Sequence, residues 1–345
     1  MRGFFSSVVS ALREKTVKLR WLSDPEESYY PEKKHKSRIH QLCDLVCWKL
    51  KYGELNKHYK MYGFDVQDPA IDESAYMDYK SFMRARASKN GNGSDYGQVP
   101  LLRDKYMFWK YMSAFHLPVP EVFAVRLGGK LLNQDLEPIP EKTLLEKKDY
   151  FAKAIGGECG EFVRHIGNYQ AFKEFVAECG DNDIILQERV TQHPEMRRLY
   201  PNAVNTIRIV TVMTSDGPVV FSALQRIGTQ SCGERDNTSQ GGFAVGIRED
   251  GTLMEYGFRK PAFGGLSRIH PDTGIVFSEF RIPHFQIALE TACKAHSLFY
   301  RVHSIGWDIA ITNDSCMIIE GNDNWELQSF QALYGGMRDQ CEKLL

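Results

Sequence analysis

Two apolar segments near the end of the chain constrain the fold more than any other feature. The segments 304–312 (SIGWDIAIT) and 316–322 (CMIIEGN) are rich in isoleucine and are separated by the polar turn 313–315. Short β-branched runs on either side of such a turn predict an antiparallel hairpin. Each run nevertheless carries an acid, Asp308 in the first and Glu320 in the second. A fold that contains this hairpin must place two carboxylates on strands that are too apolar to form an exposed edge.

A three-residue turn fixes which positions of the two strands face each other. It pairs Thr312 with Cys316 and sets Asp308 opposite Glu320, with Cβ atoms about 5 Å apart on one face. Two neighbouring carboxylates repel each other, and a divalent cation relieves that repulsion. Because Asp, Glu and an Asn carbonyl suit Mg²⁺, the sequence predicts a magnesium site at Asp308, Glu320 and Asn322. The alternative is a one-residue register shift, which would put the acids on opposite faces.

Two arginines on earlier strands predict a second part of the same region. In the alternating segment 205–214, Arg208 shares a face with Val210 and Val212. An arginine on a mostly apolar sheet face needs an anionic partner. Arg226, near the end of the next strand, is predicted to converge on the same place. A phosphate and a buried carboxylate fit this requirement equally well.

A lysine followed by glycines forms a third candidate element. Lys153 lies in a predicted strand that leads into Gly156-Gly157-Glu158-Cys159-Gly160. Glycines let backbone N–H groups approach phosphate oxygens closely. The order of residues matches neither the P-loop nor the Gly-x-Gly-x-x-Gly dinucleotide pattern. A simple hairpin turn is the alternative interpretation.

The rest of the chain reads as mixed helices and antiparallel strands, which predicts the α+β class. Residues 1–95 are predicted as a mainly helical, basic region, with eight Lys/Arg against two acids between 33 and 60. The Gly-, Asn- and Ser-rich run 88–97 is the candidate linker. Two α+β units are predicted after it, at 96–190 and 191–345.

Composition excludes several functional classes. The 43 Lys and Arg residues nearly balance the 44 Asp and Glu residues, a net charge of −1 that argues against a nucleic-acid partner. No run of about 18 uncharged apolar residues is present, so no transmembrane segment is predicted. The eight cysteines include no Cys-x-x-Cys pair and are most simply reduced thiols of a cytoplasmic protein. Cys43 and Cys47 are predicted as small core residues on one helix face.

The first 22 residues combine an apolar run with basic residues. Apolar residues follow helical spacing between Phe4 and Leu12, and Arg13, Lys15, Lys18 and Arg20 come after them. Two interpretations are open for residues 1–22: packing on the rest of the protein, or peripheral contact with an anionic membrane surface.

In their order along the chain, these elements resemble the ATP-grasp superfamily over roughly residues 100–335. The resemblance includes Lys105, the strand lysine with its glycine loop, the hinge LQERV and the terminal Asp…Glu-x-Asn pattern. The segments NTIRIVT, DNTSQGG and GWDIAI…IIEGND are most similar to the sugar-transfer-associated branch. The fold implied is two α+β subdomains that grip ATP, preceded by the helical N-terminal region.

The resemblance also implies a role for each matching residue. Lys105 and Lys153 match lysines that contact ATP, and residues 156–160, with Gly156, Gly157 and Gly160, match the loop that closes over its phosphates. Arg226 matches the basic residue on the γ-phosphate, and Arg208 a residue that holds the acyl phosphate. The hinge and ribose positions are Gln187, Glu188, Arg189, Val190 and Asn205; the magnesium ligands are Asp308, Glu320 and Asn322; the acceptor loop is Asp236, Asn237, Gly241 and Gly242.

One of these positions departs from the family pattern, and one group of them has a second explanation. Asn205 stands where related ligases often carry an acid. The acceptor-loop residues are explained equally well by ordinary turn chemistry.

The activity implied by the resemblance is that of an ATP- and Mg²⁺-dependent carboxylate–amine ligase. A carboxylate becomes an acyl phosphate, and an amine captures it to give an amide. The implied setting is surface-polysaccharide or related glycan or peptide biosynthesis, with small carboxylate and amine substrates that include a sugar nucleotide or glycan. Two alternatives are a kinase-like ATP-grasp phosphotransferase and a nucleotide-binding module without turnover.

Overall fold

Two antiparallel sheets organise the computed structural model, which describes residues 28–91, 97–146, 149–156 and 162–344. The first sheet has the strand order β2-β1-β5-β3-β4. Its strands are β1 (Val122–Leu127), β2 (Lys130–Leu132), β3 (Tyr150–Ala154), β4 (Val163–Ile166) and β5 (Ile184–Glu188). The predicted strand position of Lys153, within β3, is confirmed.

The second sheet has seven strands in the order β10-β9-β8-β7-β6-β11-β12. They are β6 (Ile207–Thr214), β7 (Gly217–Ile227), β8 (Phe243–Ile247), β9 (Leu253–Phe258), β10 (Leu266–Ser267), β11 (Ser304–Ile311) and β12 (Cys316–Asn322). Neighbouring strands in both sheets run antiparallel. Helices and antiparallel strands therefore mix as the α+β class requires.

Helices flank both sheets and fill the N-terminal region. They are α1 (Arg38–Tyr52), α2 (Tyr79–Lys89), α3 (Val99–Arg103), α4 (Lys105–Ala114), α5 (Thr143–Glu146), α6 (Tyr169–Cys179), α7 (Pro194–Leu199), α8 (Phe285–Leu298), α9 (Gln328–Tyr334) and α10 (Arg338–Leu344). Short 3-10 turns occupy Glu73–Ala75, Gln230–Cys232, Thr238–Gln240, Pro261–Phe263 and Phe277–Glu279. Side chains of Asp78, Asp104 and Asn168 cap the starts of α2, α4 and α6, which satisfies otherwise unpaired N–H groups.

Different helices pack on the faces of the two sheets. Phe172 and Phe175 of α6 pack against Ala152 and Leu186 on one face of the first sheet. Helices α4 and α8 cover the face of the second sheet that carries Trp307. Strand alternation places Arg208, Arg226 and Asp308 on the opposite face.

The segment before the first sheet packs on that opposite face of the second sheet. Phe82 of α2 lies edge-on to Trp325, with ring centroids 4.9 Å apart, and Arg86 donates to the Trp325 carbonyl. Asn90 lies in the predicted linker but is buried, and its side chain donates to the Ser304 carbonyl at 3.2 Å. The linker interpretation is therefore wrong at Asn90; residues 92–96 lie outside the described residues.

The prediction for the two cysteines of α1 is also wrong. Both Cys43 and Cys47 are exposed, whereas Leu45, Val46 and Trp48 are buried. Their four-residue spacing does place them on one side of the helix, but the larger apolar residues occupy the side that packs. In the part of the chain that the structure describes, every helix is too short or too polar to cross a bilayer. Residues 1–22 lie outside the described residues.

Candidate functional site

The predicted pairing of the two acidic strand positions is confirmed. Asp308 of β11 lies opposite Glu320 of β12. The turn closes differently from the prediction, because Cys316 pairs with Ile311 rather than with Thr312. A bulge next to Asp308 adds one residue to β12 and restores the register. Without this bulge, the one-residue shift would separate the two carboxylates.

The paired carboxyl groups are close neighbours. Asp308 and Glu320 occupy directly opposite positions on adjacent strands, and the Asn322 amide donates to Glu320 Oε1 at 3.3 Å. Burial and the neighbouring Asp308 carboxylate raise the pKa of Glu320. For Asp308, burial alone would raise the pKa, but the positive charges of Arg208 and Arg226 hold the pKa well below its usual range. The pair thus favours a shared proton or a cation between its oxygens.

Arg208 and Arg226 converge on this pair, and their described partners are carboxylates. Arg208 donates from Nε and Nη2 to the two Asp308 oxygens at 2.5 and 2.9 Å. Arg226 donates to Asp308 Oδ2 at 3.0 Å and to Asp236 Oδ1 at 2.8 Å. The predicted convergence of the two arginines is confirmed. The sequence left a phosphate and a buried carboxylate open as their partner, and the structure shows a carboxylate.

Asp236 holds Arg226 in place. Its second oxygen accepts from the Thr206 backbone N–H at 2.9 Å and from the Thr206 hydroxyl at 2.5 Å, and its side chain is 10% exposed. Both carboxylate oxygens are therefore engaged within the protein. The place of Asp236 in an acceptor loop stays a prediction.

Lys153 lies on β3 of the first sheet and interacts electrostatically with Glu320 and with Lys105. Burial lowers the pKa of Lys153 to about 8, with Lys105 lowering it further and Glu320 opposing the shift. Lys105 begins α4, and its Nζ donates to the Ile155 carbonyl at the end of β3. The two lysines predicted to contact phosphate thus lie near each other and near the carboxylates.

Helix α3 fixes the position of Lys105 relative to the carboxylates. A Cβ atom at Gly321 would lie 3.0 Å from Leu102 Cδ2 and 2.9 Å from the Trp307 ring, so only glycine permits this close packing of α3 on β12. Arg103 donates to both oxygens of Asp323 at 2.9 and 2.8 Å. The start of α4 is thereby tied to the strand that carries Glu320.

A cleft of about 710 Å³ lies between strands β3 and β4 of the first sheet and the loops that follow β7 and β9 in the second unit. Phe151 and His165 line it from the first sheet, and Arg235 and Phe263 line it from the second unit. His165 Nδ1 lies 3.4 Å from Glu234 Oε1 across the cleft. Sequence analysis missed His165 and Glu234, because no spacing or motif links positions on a strand of one sheet and a loop of the other.

Asn205 lies outside the cleft. It is fully buried, and its amide donates to the carbonyls of Met196 and Tyr200 at 3.0 and 2.9 Å. Its carbonyl accepts from the Gly228 N–H at 3.1 Å. The backbone around the start of β6 therefore satisfies the amide and the carbonyl of this side chain, and the place of Asn205 near a ribose stays a prediction.

The hinge residues follow the end of β5. Gln187 is buried in the sheet, while the exposed Glu188 accepts from the Glu121 N–H at 3.0 Å. Arg189 donates to Asp149 Oδ1 at 2.9 Å, and Val190 is partly exposed. These residues lie where the chain leaves the first sheet, and their role as a hinge stays a prediction.

The glycines of the two predicted loops differ in their surroundings. A Cβ at Gly241 would lie 2.4 Å from Ser231 Oγ, and one at Gly242 would lie 2.9 Å from two backbone carbonyls. Together with Asn237, which caps the adjoining 3-10 turn, they form a tight turn, as the turn interpretation required. Gly156 follows β3 and has open space around it. Gly157 and Gly160 lie outside the described residues.

The donor set suits a magnesium ion. No group of three or more His, Cys, Asp or Glu side chains that could hold a metal occurs among the described residues. The predicted ligands would offer a cation two carboxylates and one carbonyl. Asp308, Glu320 and Asn322 supply these oxygens on adjacent strands. A divalent cation between two neighbouring carboxylates would offset their mutual repulsion.

Comparison with known families identifies the class of protein. A family model described as sugar-transfer associated ATP-grasp matches residues 161–343, more than half of the chain. The protein belongs to this family, and its two sheets with the cleft between them form an ATP-grasp fold. A comparison with curated proteins finds no match.

Solved structures with similar folds are distant in sequence. The N5-carboxyaminoimidazole synthase of Aspergillus clavatus, solved with ADP and 5-aminoimidazole ribonucleotide, is 11% identical with a TM-score of 0.41, covering 65% of this chain and 45% of its own. An L-amino acid ligase from Bacillus licheniformis is 11% identical with a TM-score of 0.41, and the match covers 70% of this chain and 45% of the ligase. A biotin carboxylase complex from Campylobacter jejuni is 11% identical with a TM-score of 0.45, and the match covers 70% of this chain and 46% of the carboxylase. The chain spans about half the length of the structures it matches.

Proposed function

We propose that the protein is an ATP- and Mg²⁺-dependent carboxylate–amine ligase that forms an amide through an acyl phosphate. The observation that carries this proposal is the pairing of Asp308 with Glu320 on adjacent strands, together with the electrostatic influence on Glu320 of Lys153 from the other sheet. Paired carboxylates opposite a lysine are suited to a magnesium nucleotide, because the cation satisfies the carboxylates and the lysine satisfies the phosphate.

The charges around the Asp308–Glu320 pair agree with such a ligand. Four cationic side chains and three carboxylates meet here: Lys105, Lys153, Arg208 and Arg226, and Asp236, Asp308 and Glu320. Their formal sum is +1 when all are ionised. A magnesium ion held by Asp308, Glu320 and Asn322 would neutralise phosphate oxygens when bound, and the cluster would then complement the negative charge of the nucleotide.

Each cationic residue has a proposed task in the first step. Lys105 and Lys153 contact the nucleotide phosphates, and Arg226 contacts the γ-phosphate that is transferred. A carboxylate oxygen of the substrate attacks the γ-phosphorus, the bond to the β-phosphate oxygen breaks, and ADP leaves. Arg208 then holds the acyl phosphate. The main contributions are positioning and charge stabilisation, because no side-chain nucleophile is needed.

In the second step an amine attacks the acyl carbon and inorganic phosphate leaves. The 710 Å³ cleft is the proposed place for the acceptor. Arg235 and Ser239 line it, and these groups suit a polar or anionic acceptor such as a glycan or a sugar nucleotide. Surface-polysaccharide or related glycan or peptide biosynthesis is the proposed setting, which agrees with the family description. The loop at 156–160 is proposed to shield the acyl phosphate from water.

The proposal is tested by incubating the purified chain with ATP, Mg²⁺ and a panel of carboxylates and amines. We expect ADP to form only when a carboxylate is present, and mass spectrometry to find an amide product. Glu320→Gln should reduce turnover by about 100-fold or more, while Glu249→Gln, at an exposed carboxylate between β8 and β9, should leave it unchanged. A phosphate ester as the stable product would identify a phosphotransferase. ATP binding without any turnover would identify a binding module.

A further inference from the structure

The outward side of α1 has an unusual composition for a helix in contact with water. The exposed residues of this helix between 39 and 51 are Ile39, His40, Cys43, Cys47, Leu50 and Lys51. Four of these six are apolar, and none is acidic. Ile39 is 75% exposed and Leu50 is 64% exposed. At about 1.5 Å per residue the two lie roughly 17 Å apart along the helix, so the apolar surface runs along most of its length.

This exposure is a feature of a firmly packed helix. The opposite side of α1 contributes Leu45 and Trp48 to an aromatic cluster with Tyr59 and Phe64. The Ser37 side chain accepts from a backbone N–H at the start of the helix. A left-handed glycine completes a hydrogen bond at the end of the helix. The apolar outward residues are therefore held in place on a fixed surface.

The charges around this surface are basic. The one carboxylate of α1, Asp44, is drawn inward and accepts from Lys36 Nζ and from the Tyr59 hydroxyl, both at 2.8 Å. The other acid between 33 and 60, Glu54, accepts from the Lys80 backbone N–H at 2.9 Å. Of the eight Lys and Arg residues in this stretch, Lys60 is buried, and Lys33 and Lys36 pair with acids. Four of the others are exposed: Lys34, Arg38, Lys51 and Lys57. A partner of this surface must accommodate apolar side chains and carry negative charge nearby.

We propose that this side of α1 lies on an anionic lipid bilayer. Ile39 and Leu50 insert among the acyl chains near the headgroups, and Lys51 contacts anionic headgroups. An apolar centre with a basic border is the pattern of an interfacial helix. A nucleic acid offers no apolar layer in which these two side chains could be buried. This inference does not depend on the proposed ligase activity.

The sequence before the described residues carries the same combination. Its apolar residues between Phe4 and Leu12 are followed by four Lys and Arg residues up to Arg20. In sequence, this segment combines apolar and basic residues as the α1 surface does, and such a pattern suits an anionic membrane surface. Two weak membrane contacts together give stable attachment where one gives marginal binding.

The test uses the full chain and sedimentation with vesicles. One vesicle type is phosphatidylcholine alone, and the other contains 30% phosphatidylglycerol. We expect binding to the anionic vesicles, at least tenfold weaker binding to the neutral ones, and weakening by added salt. Ile39→Ser/Leu50→Ser should reduce binding to anionic vesicles by tenfold or more. Ile269→Ser is the matched control, since Ile269 is 47% exposed on the second unit, and it should bind like the parent chain.

Circular dichroism and thermal melting establish that the double variant is folded. Because its substituted side chains point to solvent, we expect its melting temperature to be unchanged. Failure of the parent chain to bind anionic vesicles would overturn the proposal. Unchanged binding by the folded double variant would also overturn it, since attachment would then be located elsewhere. A dimer that the double variant dissociates, without vesicle binding, would show that the surface joins two copies of the chain instead.

Discussion

Replacing Asp308 by asparagine removes the charge that holds two arginines. The Asp308 side chain is 5% exposed, and those of Arg208 and Arg226 are 20% and 18% exposed. In Asp308→Asn, Arg208 loses its ion pair, because both of its hydrogen bonds go to the Asp308 carboxylate. Arg226 keeps its ion pair with Asp236. Breaking a buried pair by removing one partner costs about 3–5 kcal/mol. We expect a loss near the lower limit, about 3 kcal/mol, since one arginine retains a carboxylate and Glu320 loses a repulsive neighbour.

Urea unfolding at pH 7, followed by the fluorescence of the buried tryptophans, measures this loss. Asp216→Asn, at an exposed turn position, is the control and should change the free energy of unfolding by less than about 0.5 kcal/mol. Inorganic phosphate should restore part of the stability of Asp308→Asn, because the unpaired Arg208 then binds an anion. A loss below about 1 kcal/mol, with no response to phosphate, would refute the described ion pairs.

Three further predictions concern other residues of the site and its support. The affinity for ATP should fall as the pH rises above about 8, because Lys153 of the ATP-free protein loses its proton there and must regain it on binding. Calorimetry with Lys153→Arg, which stays charged, should show no such fall in affinity. Gly306→Ala should destabilise the fold by about 1–3 kcal/mol, since its Cβ would lie 2.7 Å from that of Trp325, whereas Gly167→Ala, with open space, should not. Asn205→Ala should cost about 2–4 kcal/mol in chemical unfolding through lost buried hydrogen bonds, and a loss below 1 kcal/mol would contradict this.

Sequence periodicity was sufficient to predict the elements that make the site. Alternation on β6 places Arg208 on the correct face, and the hairpin places Asp308 opposite Glu320. The second result depends on a bulge that the sequence does not reveal, since the predicted turn pairing is off by one residue. Local pattern therefore predicts the strands and their faces more securely than it predicts the exact register.

The sequence did not predict contacts between segments that lie far apart along the chain. Asp236 and Asn205 both lie in segments that resemble functional positions, but each is occupied by partners from neighbouring loops. The exposure of Cys43 and Cys47 depends on which side of α1 packs, and periodicity alone does not assign that side. These outcomes are decided by tertiary packing, which a four-residue spacing or a matched motif cannot specify.

The most direct test of the magnesium-nucleotide site is ATP binding measured by calorimetry with Mg²⁺ and with a chelator. We expect the parent chain to bind ATP at least tenfold more tightly with Mg²⁺, and folded Glu320→Gln to lose this difference, because one of the two paired carboxylates is gone. Equal affinity for ATP with and without Mg²⁺ in the parent chain, or an undiminished magnesium effect in Glu320→Gln, would contradict the assignment.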